Sequence, residues 1–230
     1  MGDICGAEET LLADSSDYAR RVDAGLLPVK NLRSAKTRLA SALSPAERLE
    51  LAHALLDDAL DLCGSVDFLR WWVVTDDPEV NERARRAGLD VVTDDGTGLN
   101  DAVATAIAEI SGHAESVTIV PVDVPLAWKG DIQDLLDTGA TSDIVVVPSA
   151  SDGGTNALYL SPPGLIEPRF GVASLRHHIL AAESKGLRCS ILSLPRLELD
   201  LDTVDDIDDL LARPNPGGSR AVELLRSLRS

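Results

Sequence analysis

Residues 117–126, Val-Thr-Ile-Val-Pro-Val-Asp-Val-Pro-Leu, constrain the fold most. The run is apolar and rich in β-branched residues, too short for a helix, so it reads as a buried strand. It ends in a single carboxylate, Asp123, and Pro125 stops any continuation. A strand running out into Asp-x-Pro puts that carboxylate at the carboxyl end of a sheet, the edge where open α/β sheets bind ligands. There it could hold a divalent cation, cap the next helix or begin a turn.

The surrounding sequence supplies the rest of such a sheet. Strand-like runs at 22–29, 69–75, 89–92, 142–148 and 187–194, with a further strand led into by the glycine turn within 151–160, alternate with helical patterns. Ser44-Pro-Ala-Glu47 is a capping box with proline at the first helical position; an apolar stripe through Leu49, Ala52, Leu55, Leu56 and Ala59 follows it. Further helices are expected at 102–111, 131–138 and from about 174. Alternation of this kind predicts an α/β fold, three-layered, with a mainly parallel sheet. Residues 1–20 read as an N-terminal extension, 21–213 as the domain, and 214–230 as a linker and C-terminal helix.

The formal net charge of -17 argues against nucleic acid as a partner, because phosphates attract a basic face. No apolar run approaches a membrane span and the first residues lack a signal-peptide pattern, so a cytoplasmic protein is expected. Cys5, Cys63 and Cys189 are far apart without metal-ligand spacing and read as reduced thiols.

In this acidic chain Lys30, Arg33, Lys36 and Arg38 crowd one strand-to-helix connection. A cationic loop there suits a polyphosphate, although it lacks P-loop spacing; a solvated basic turn is the alternative. Gly98 and Asn100 precede an alanine-rich helix. Asn100 could read a base or ribose edge, or cap the helix. Gly153-Gly154-Thr155 resembles an anion cradle or a hairpin turn. Ser174 is placed to cap a helix whose free amides could face a phosphate, with His178 either assisting or lying at the surface. Along 197–202 leucine alternates with acid, so Asp200 and Asp202 share one face with Cα atoms about 6–7 Å apart. Carboxylates that close repel unless a cation lies between them, and oxygen ligands without Cys or His favour magnesium or manganese.

Pro28-Val-Lys30, Ala35-Lys-Thr-Arg-Leu39, Gly98-Leu-Asn100, Asp123-Val-Pro125, Gly153-Gly-Thr-Asn-Ala-Leu158, Phe170-Gly-x-x-Ser174 with His178, and Asp200-x-Asp-Thr203 with Asp206 occur in this order. Together they resemble the phospholactate/phosphoenolpyruvate guanylyltransferases of coenzyme F-420 biosynthesis, over residues 22–212. The resemblance implies a glycosyltransferase-A-like nucleotidyltransferase fold. It implies transfer of GMP from GTP to a small phospho-acid (2-phospho-L-lactate, phosphoenolpyruvate or 3-phospho-D-glycerate) with release of pyrophosphate. It assigns Asp123, Asp200 and Asp202 to Mg2+, and Lys30, Lys36, Arg38, Gly98 and Asn100 to the nucleotide. Lys30, Lys36 and Arg38 are further expected to stabilise the leaving pyrophosphate. Thr155, Gly171 and Ser174 are assigned to the acceptor's phosphate. The product is expected to be labile, which makes the downstream transferase of the pathway a candidate partner. A molybdopterin- or sugar-type nucleotidyltransferase and a non-catalytic nucleotide sensor are the competing readings.

Overall fold

The computed structural model describes residues 22–96 and 98–229. The expected extension at 1–20 lies outside the described residues. Seven strands form one sheet: β1 Val22–Pro28, β2 Arg70–Thr75, β3 Asp90–Thr93, β4 Ala114–Ile119, β5 Ile144–Pro148, β6 Thr155–Leu160 and β7 Cys189–Ile191. Their order across the sheet is β3-β2-β1-β4-β6-β5-β7. Neighbours are parallel except for β6, which runs antiparallel to both β4 and β5. β6 reverses because it leaves β5 through a short glycine turn, closed by Ser149 N–H donating to the Gly154 carbonyl (3.0 Å). A parallel neighbour would need a crossover of a dozen or more residues.

The inner strands are buried on both faces, hence their near-continuous apolar runs. On one face α1 (Pro45–Ser65), α2 (Pro78–Arg86) and α4 (Lys129–Gly139) pack through Leu56, Val80 and Ile132 onto Leu27, Val73 and Val145. On the other, α3 (Leu99–Ile110) and α5 (Ser174–Ser184) pack through Val103, Ile107 and Ala182 onto Leu26, Ile119 and Leu158. A third cluster joins the outer side of α1 to α6 (Val204–Ala212) and α7 (Arg220–Arg229) through Leu51, Leu55, Leu210 and Val222. Gly25, inside β1, has no room for a side chain, since a Cβ there would lie 2.4 Å from the Trp71 ring.

Several boundaries differ from expectation. The strand leading to Asp123 ends at Ile119, and residues 120–126 form turns at the sheet edge. α3 begins at Leu99, with Gly98 in the cap position rather than Asn100. The expected strand at 187–194 contributes only Cys189–Ile191 to the sheet. The described helices include none long and apolar enough to cross a membrane.

Candidate active site

The carboxyl edge of β1 and β4 collects the acids. Two backbone bonds hold the loop after β4 in place: Val120 N–H donates to the Leu26 carbonyl, and Leu201 N–H to the Asp123 carbonyl, both at 3.0 Å. The second clamps the 197–202 segment directly onto Asp123 and so brings Asp200 and Asp202 beside it. α6 secures the far end. Thr203 caps that helix in a capping box with Asp206, whose Oδ2 also accepts from the Asp202 amide (3.0 Å). The alternating leucines, Leu199 and Leu201, are buried, which leaves the acids facing the edge.

Asp123 and Asp202 do not meet across open space. The Lys36 ammonium lies between them, 2.8 Å from Asp123 Oδ2 and 3.0 Å from Asp202 Oδ1. Its side chain is only 7 % exposed, although the sequence suggests an exposed cationic loop. The reason is local and strained: Lys36 adopts a left-handed backbone (φ 56°, ψ 33°), which turns it inward between two short 3-10 turns. Burial is the largest single influence on Lys36 and lowers its pKa. The charges of Asp123 and Asp202 and their hydrogen bonds together outweigh it and hold the pKa above the ordinary lysine value. Arg38 remains 67 % exposed and reaches Asp202 Oδ2 at 3.4 Å.

Asp200 sits deeper. Its Oδ1 accepts from Ser149 Oγ (3.1 Å) and Asn156 Nδ2 (3.0 Å). Burial raises its pKa, the Asn156 hydrogen bond opposes that, and the charges of Asp123 and Asp202 push it up further. The three acids therefore share one edge and sense one another. Among the described residues, however, no three His, Cys, Asp or Glu side chains form a preformed metal cage. The donor set still fits a hard divalent cation: it is all carboxylate oxygen, and the place between two of the acids already holds a positive charge.

Lys30 is exposed just past the end of β1 and borders an open cleft of about 220 Å³, together with Asn31, Asp76, Asp94, Gly96 and Gly98. Sequence reasoning missed what holds this cationic loop. Asp77, 8 % exposed, caps α2 through the Glu79 amide (2.9 Å) and accepts from the Leu32 amide (3.1 Å). Asp77-Pro78 advertises the cap; nothing local advertises the second bond.

Asn100 uses its whole side-chain amide on one residue: Phe170 N–H donates to Oδ1 (2.7 Å) and Nδ2 donates to the Phe170 carbonyl (3.3 Å). It thus ties the start of α3 to the segment that carries Gly171 and Ser174. Gly171 has φ +120°, a conformation that suits glycine, and its carbonyl accepts from the Ser174 amide (3.1 Å). The cap residue of α5 is Ala173, in a left-handed conformation, so Ser174 is the first helical residue and not the cap. Its hydroxyl is buried and has no hydrogen-bond partner. One helical turn on, His178 is fully buried, not at the surface. It lies 3.0 Å from Thr155 Oγ1 through Nδ1 and accepts the Arg169 amide at Nε2 (3.1 Å). Burial, with a smaller push from His177, lowers its pKa to about 4. Of the two glycine-turn amides, that of Gly154 is taken by Asp152 Oδ1 (2.7 Å). The turn also meets α5, where Leu175 N–H donates to the Gly153 carbonyl (3.2 Å).

A mainly parallel seven-stranded α/β sheet with acids and a cationic loop at its carboxyl edge is the architecture of glycosyltransferase-A-like nucleotidyltransferases. Solved structures agree on the fold. A putative nucleotide-diphospho-sugar transferase from Desulfovibrio desulfuricans G20 matches with a TM-score of 0.74 at 17% identity, over 90% of this chain and 96% of that one. Rv0371C from Mycobacterium tuberculosis H37Rv, solved in complex with manganese, matches with a TM-score of 0.54 at 19% identity, over 84% of this chain and 100% of that one.

Sequence comparison is more specific. The model of the family described as "Guanylyl transferase CofC like" matches residues 24–230, and the chain belongs to that family. It is 37% identical to a 2-phospho-L-lactate guanylyltransferase of Methanothermobacter thermautotrophicus, over 89% of this chain and 90% of the relative. It is 39% identical to a phosphoenolpyruvate guanylyltransferase of Roseiflexus sp., over 87% and 89%. A 3-phospho-D-glycerate guanylyltransferase of Phenylobacterium zucineum is 33% identical, over 89% and 96%.

Proposed function

We propose that this enzyme transfers GMP from GTP to the phosphate of a small phospho-acid and releases pyrophosphate, in the biosynthesis of coenzyme F-420. One observation carries the reading. The buried Ser174 hydroxyl has no hydrogen-bond partner and lies one helical turn from His178, which meets Thr155 Oγ1 at 3.0 Å; we read the two hydroxyls as lining one uncharged pocket, at the sheet edge that also bears Asp123, Asp200, Asp202 and Lys36. Such a pocket binds a compact phosphate by hydrogen bonds and leaves charge neutralisation to the neighbouring group.

Asp123, Asp200 and Asp202 would hold a divalent cation, with Mg2+ the proposed ion. When bound it would supply charge neutralisation at the α-phosphate, where two anions must approach. Lys30 and the exposed Arg38 would face the triphosphate, and the cleft bounded by Lys30 and Gly98 would take the nucleoside. Asn100 keeps that loop and the acceptor loop at a fixed distance through Phe170. An acceptor phosphate oxygen forms the new bond to the α-phosphorus as the α–β bridging P–O bond breaks. The leaving pyrophosphate takes that electron pair, stabilised by Lys30, Lys36 and Arg38. The attacking phosphate is already ionised near neutral pH, so no protein base is required. The labile product makes direct hand-over to the downstream transferase part of this reading.

The test is a pyrophosphate-release assay of four nucleoside triphosphates against 2-phospho-L-lactate, phosphoenolpyruvate and 3-phospho-D-glycerate. Turnover is expected with GTP and at least one of the three acids. Turnover with CTP or UTP in preference to GTP, or GTP binding without release for any acceptor, would overturn the proposal.

A further inference from the structure

The acceptor pocket has a polar layer behind it that no assignment uses. His178 lies one helical turn from Ser174 on the same face of α5, fully buried, and its ring contacts Phe170 edge-on with centroids 5.6 Å apart. Its two nitrogens are both engaged, and their roles are fixed. The partner of Nε2 is a backbone amide, that of Arg169, which can only donate, so Nε2 carries no proton. A neutral imidazole then has its proton on Nδ1, and Nδ1–H donates to Thr155 Oγ1 at 3.0 Å. The depressed pKa, about 4, agrees with a ring that stays neutral throughout the physiological range. A threonine hydroxyl that accepts from the histidine keeps one proton of its own to donate elsewhere.

We propose that His178 is a positioning residue for the acceptor: it holds Thr155 Oγ1 as an acceptor, so that the Thr155 proton points at the acceptor's phosphate alongside the unpartnered hydroxyl of Ser174. The same ring anchors the 169–171 backbone through the Arg169 amide, which places Gly171 in the same pocket. One buried side chain thus sets the direction of a hydroxyl and the position of a loop. It brings no positive charge, so the pocket discriminates by donor geometry: it suits a compact phosphate presenting acceptor oxygens only. The inference rests on the acceptor pocket proposed above.

The experiment compares acceptor KM, kcat and GTP affinity for Thr155→Val, His178→Phe, His178→Asn and the double variant Thr155→Val/His178→Phe, with thermal melts to check folding. Thr155→Val tests the pocket itself, and an acceptor KM rise of about tenfold is expected for loss of one hydrogen bond to an ionised group. His178→Phe should give a similar rise with GTP affinity unchanged. His178→Asn places Nδ2 where Nδ1 stood and should recover part of the acceptor KM loss seen in His178→Phe, the remainder reflecting the lost Arg169 anchor. The double variant should fall well short of the product of the two single effects, because both changes remove the bond at Thr155 and His178→Phe adds only the loss of the Arg169 anchor. If Thr155→Val raises the KM while His178→Phe does not, or if the two effects multiply, the positioning role is wrong and the pocket stands. If Thr155→Val leaves the KM unchanged, the pocket assignment fails and the inference with it. Should His178→Phe fail to fold, imidazole 15N shifts of the wild-type protein decide the matter. An Nδ1–H tautomer that persists from pH 5.5 to 8 supports the role, and an Nε2–H or titrating ring overturns it.

Discussion

Replacing Lys36 with methionine tests how the acids are organised. The change keeps a long flexible side chain and removes the charge. In the structure that charge contacts Asp123 at 2.8 Å and Asp202 at 3.0 Å, with the lysine side chain 7 % exposed. Removing one partner of a fully buried ion pair costs about 3–5 kcal/mol. Here the orphaned acids keep some solvent, with Asp123 23 % and Asp202 39 % exposed, and Asp202 retains Arg38, so about 2 kcal/mol is the better expectation. For a domain of this size that corresponds to a melting point lower by roughly 4–8 °C in chelator-treated protein. A divalent cation should reverse the loss. In wild-type protein a metal must first displace the ammonium, whereas in Lys36→Met the place between the acids is free. The same 2 kcal/mol then appears as metal affinity, on the order of 30-fold tighter without nucleotide. Differential scanning calorimetry with and without Mn2+, and Mn2+ binding by electron paramagnetic resonance, read both effects. A variant as stable as wild type in chelator, with unchanged Mn2+ affinity, would refute the reasoning.

Asp123→Asn is expected to lower transfer at least about 100-fold with the circular dichroism spectrum retained, because a nearly isosteric change removes one charge at the reacting edge. Arg38→Ala and Lys30→Ala should weaken GTP binding several-fold, and more at low than at high salt, since Arg38 is 67 % exposed and Lys30 lies at the surface; titration calorimetry at two ionic strengths checks this. Asn100→Ala removes both bonds to Phe170, so about 1–2 kcal/mol of stability and several-fold in acceptor KM should go with it, read by denaturant melts and kinetics. His178 has a folded pKa near 4, below its unfolded value, so the unfolded chain binds more protons between about pH 6.5 and pH 4. Its contribution to stability is therefore full above about pH 6.5 and falls with pH through that window, by about 3 kcal/mol in total. The difference between wild-type and His178→Phe stability curves across pH isolates it, and parallel curves would contradict it.

The sheet and its edge were legible because strand runs and turn residues are local signals. Val117 to Ile119, Ser44 with Glu47, and the alternation through Leu199 and Leu201 each state their structure within a few residues. What was not legible is what depends on distant partners. Lys36 lies 87 residues from Asp123 and 166 from Asp202, and nothing in Ala-Lys-Thr-Arg predicts a left-handed lysine turned inward. The burial of His178 comes from β6 and the 169–171 segment closing over α5, and a lone His-His pair carries no sign of it. The cap of α5 shifted to Ala173 because the Gly171 carbonyl takes the Ser174 amide, which leaves the serine hydroxyl free instead of spent on the helix. In each case the local propensity gave way where the candidate site is.

The charges at the edge explain why three acids stand where two anionic substrates are proposed to meet. Asp123, Asp200 and Asp202 are partly balanced in the structure by Lys36 and Arg38, three acids against two cations. A triphosphate and a phospho-acid would add several negative charges to that balance, and the hydroxyl pocket of Thr155 and Ser174 adds none of the opposite sign. Lysines and arginines alone would bind the substrates, but they would bind ground state and transition state with similar strength. Carboxylates make a different arrangement possible: they repel the nucleotide unless it arrives with a divalent cation. Lys36, released from Asp123 and Asp202 as that cation enters, becomes free to meet the phosphates. On this reading the Lys36 bridge holds Asp123 and Asp202 together and couples metal entry to nucleotide entry. Free metal should therefore bind wild-type enzyme weakly and bind it much more tightly once GTP is present, a coupling that Lys36→Met should largely remove.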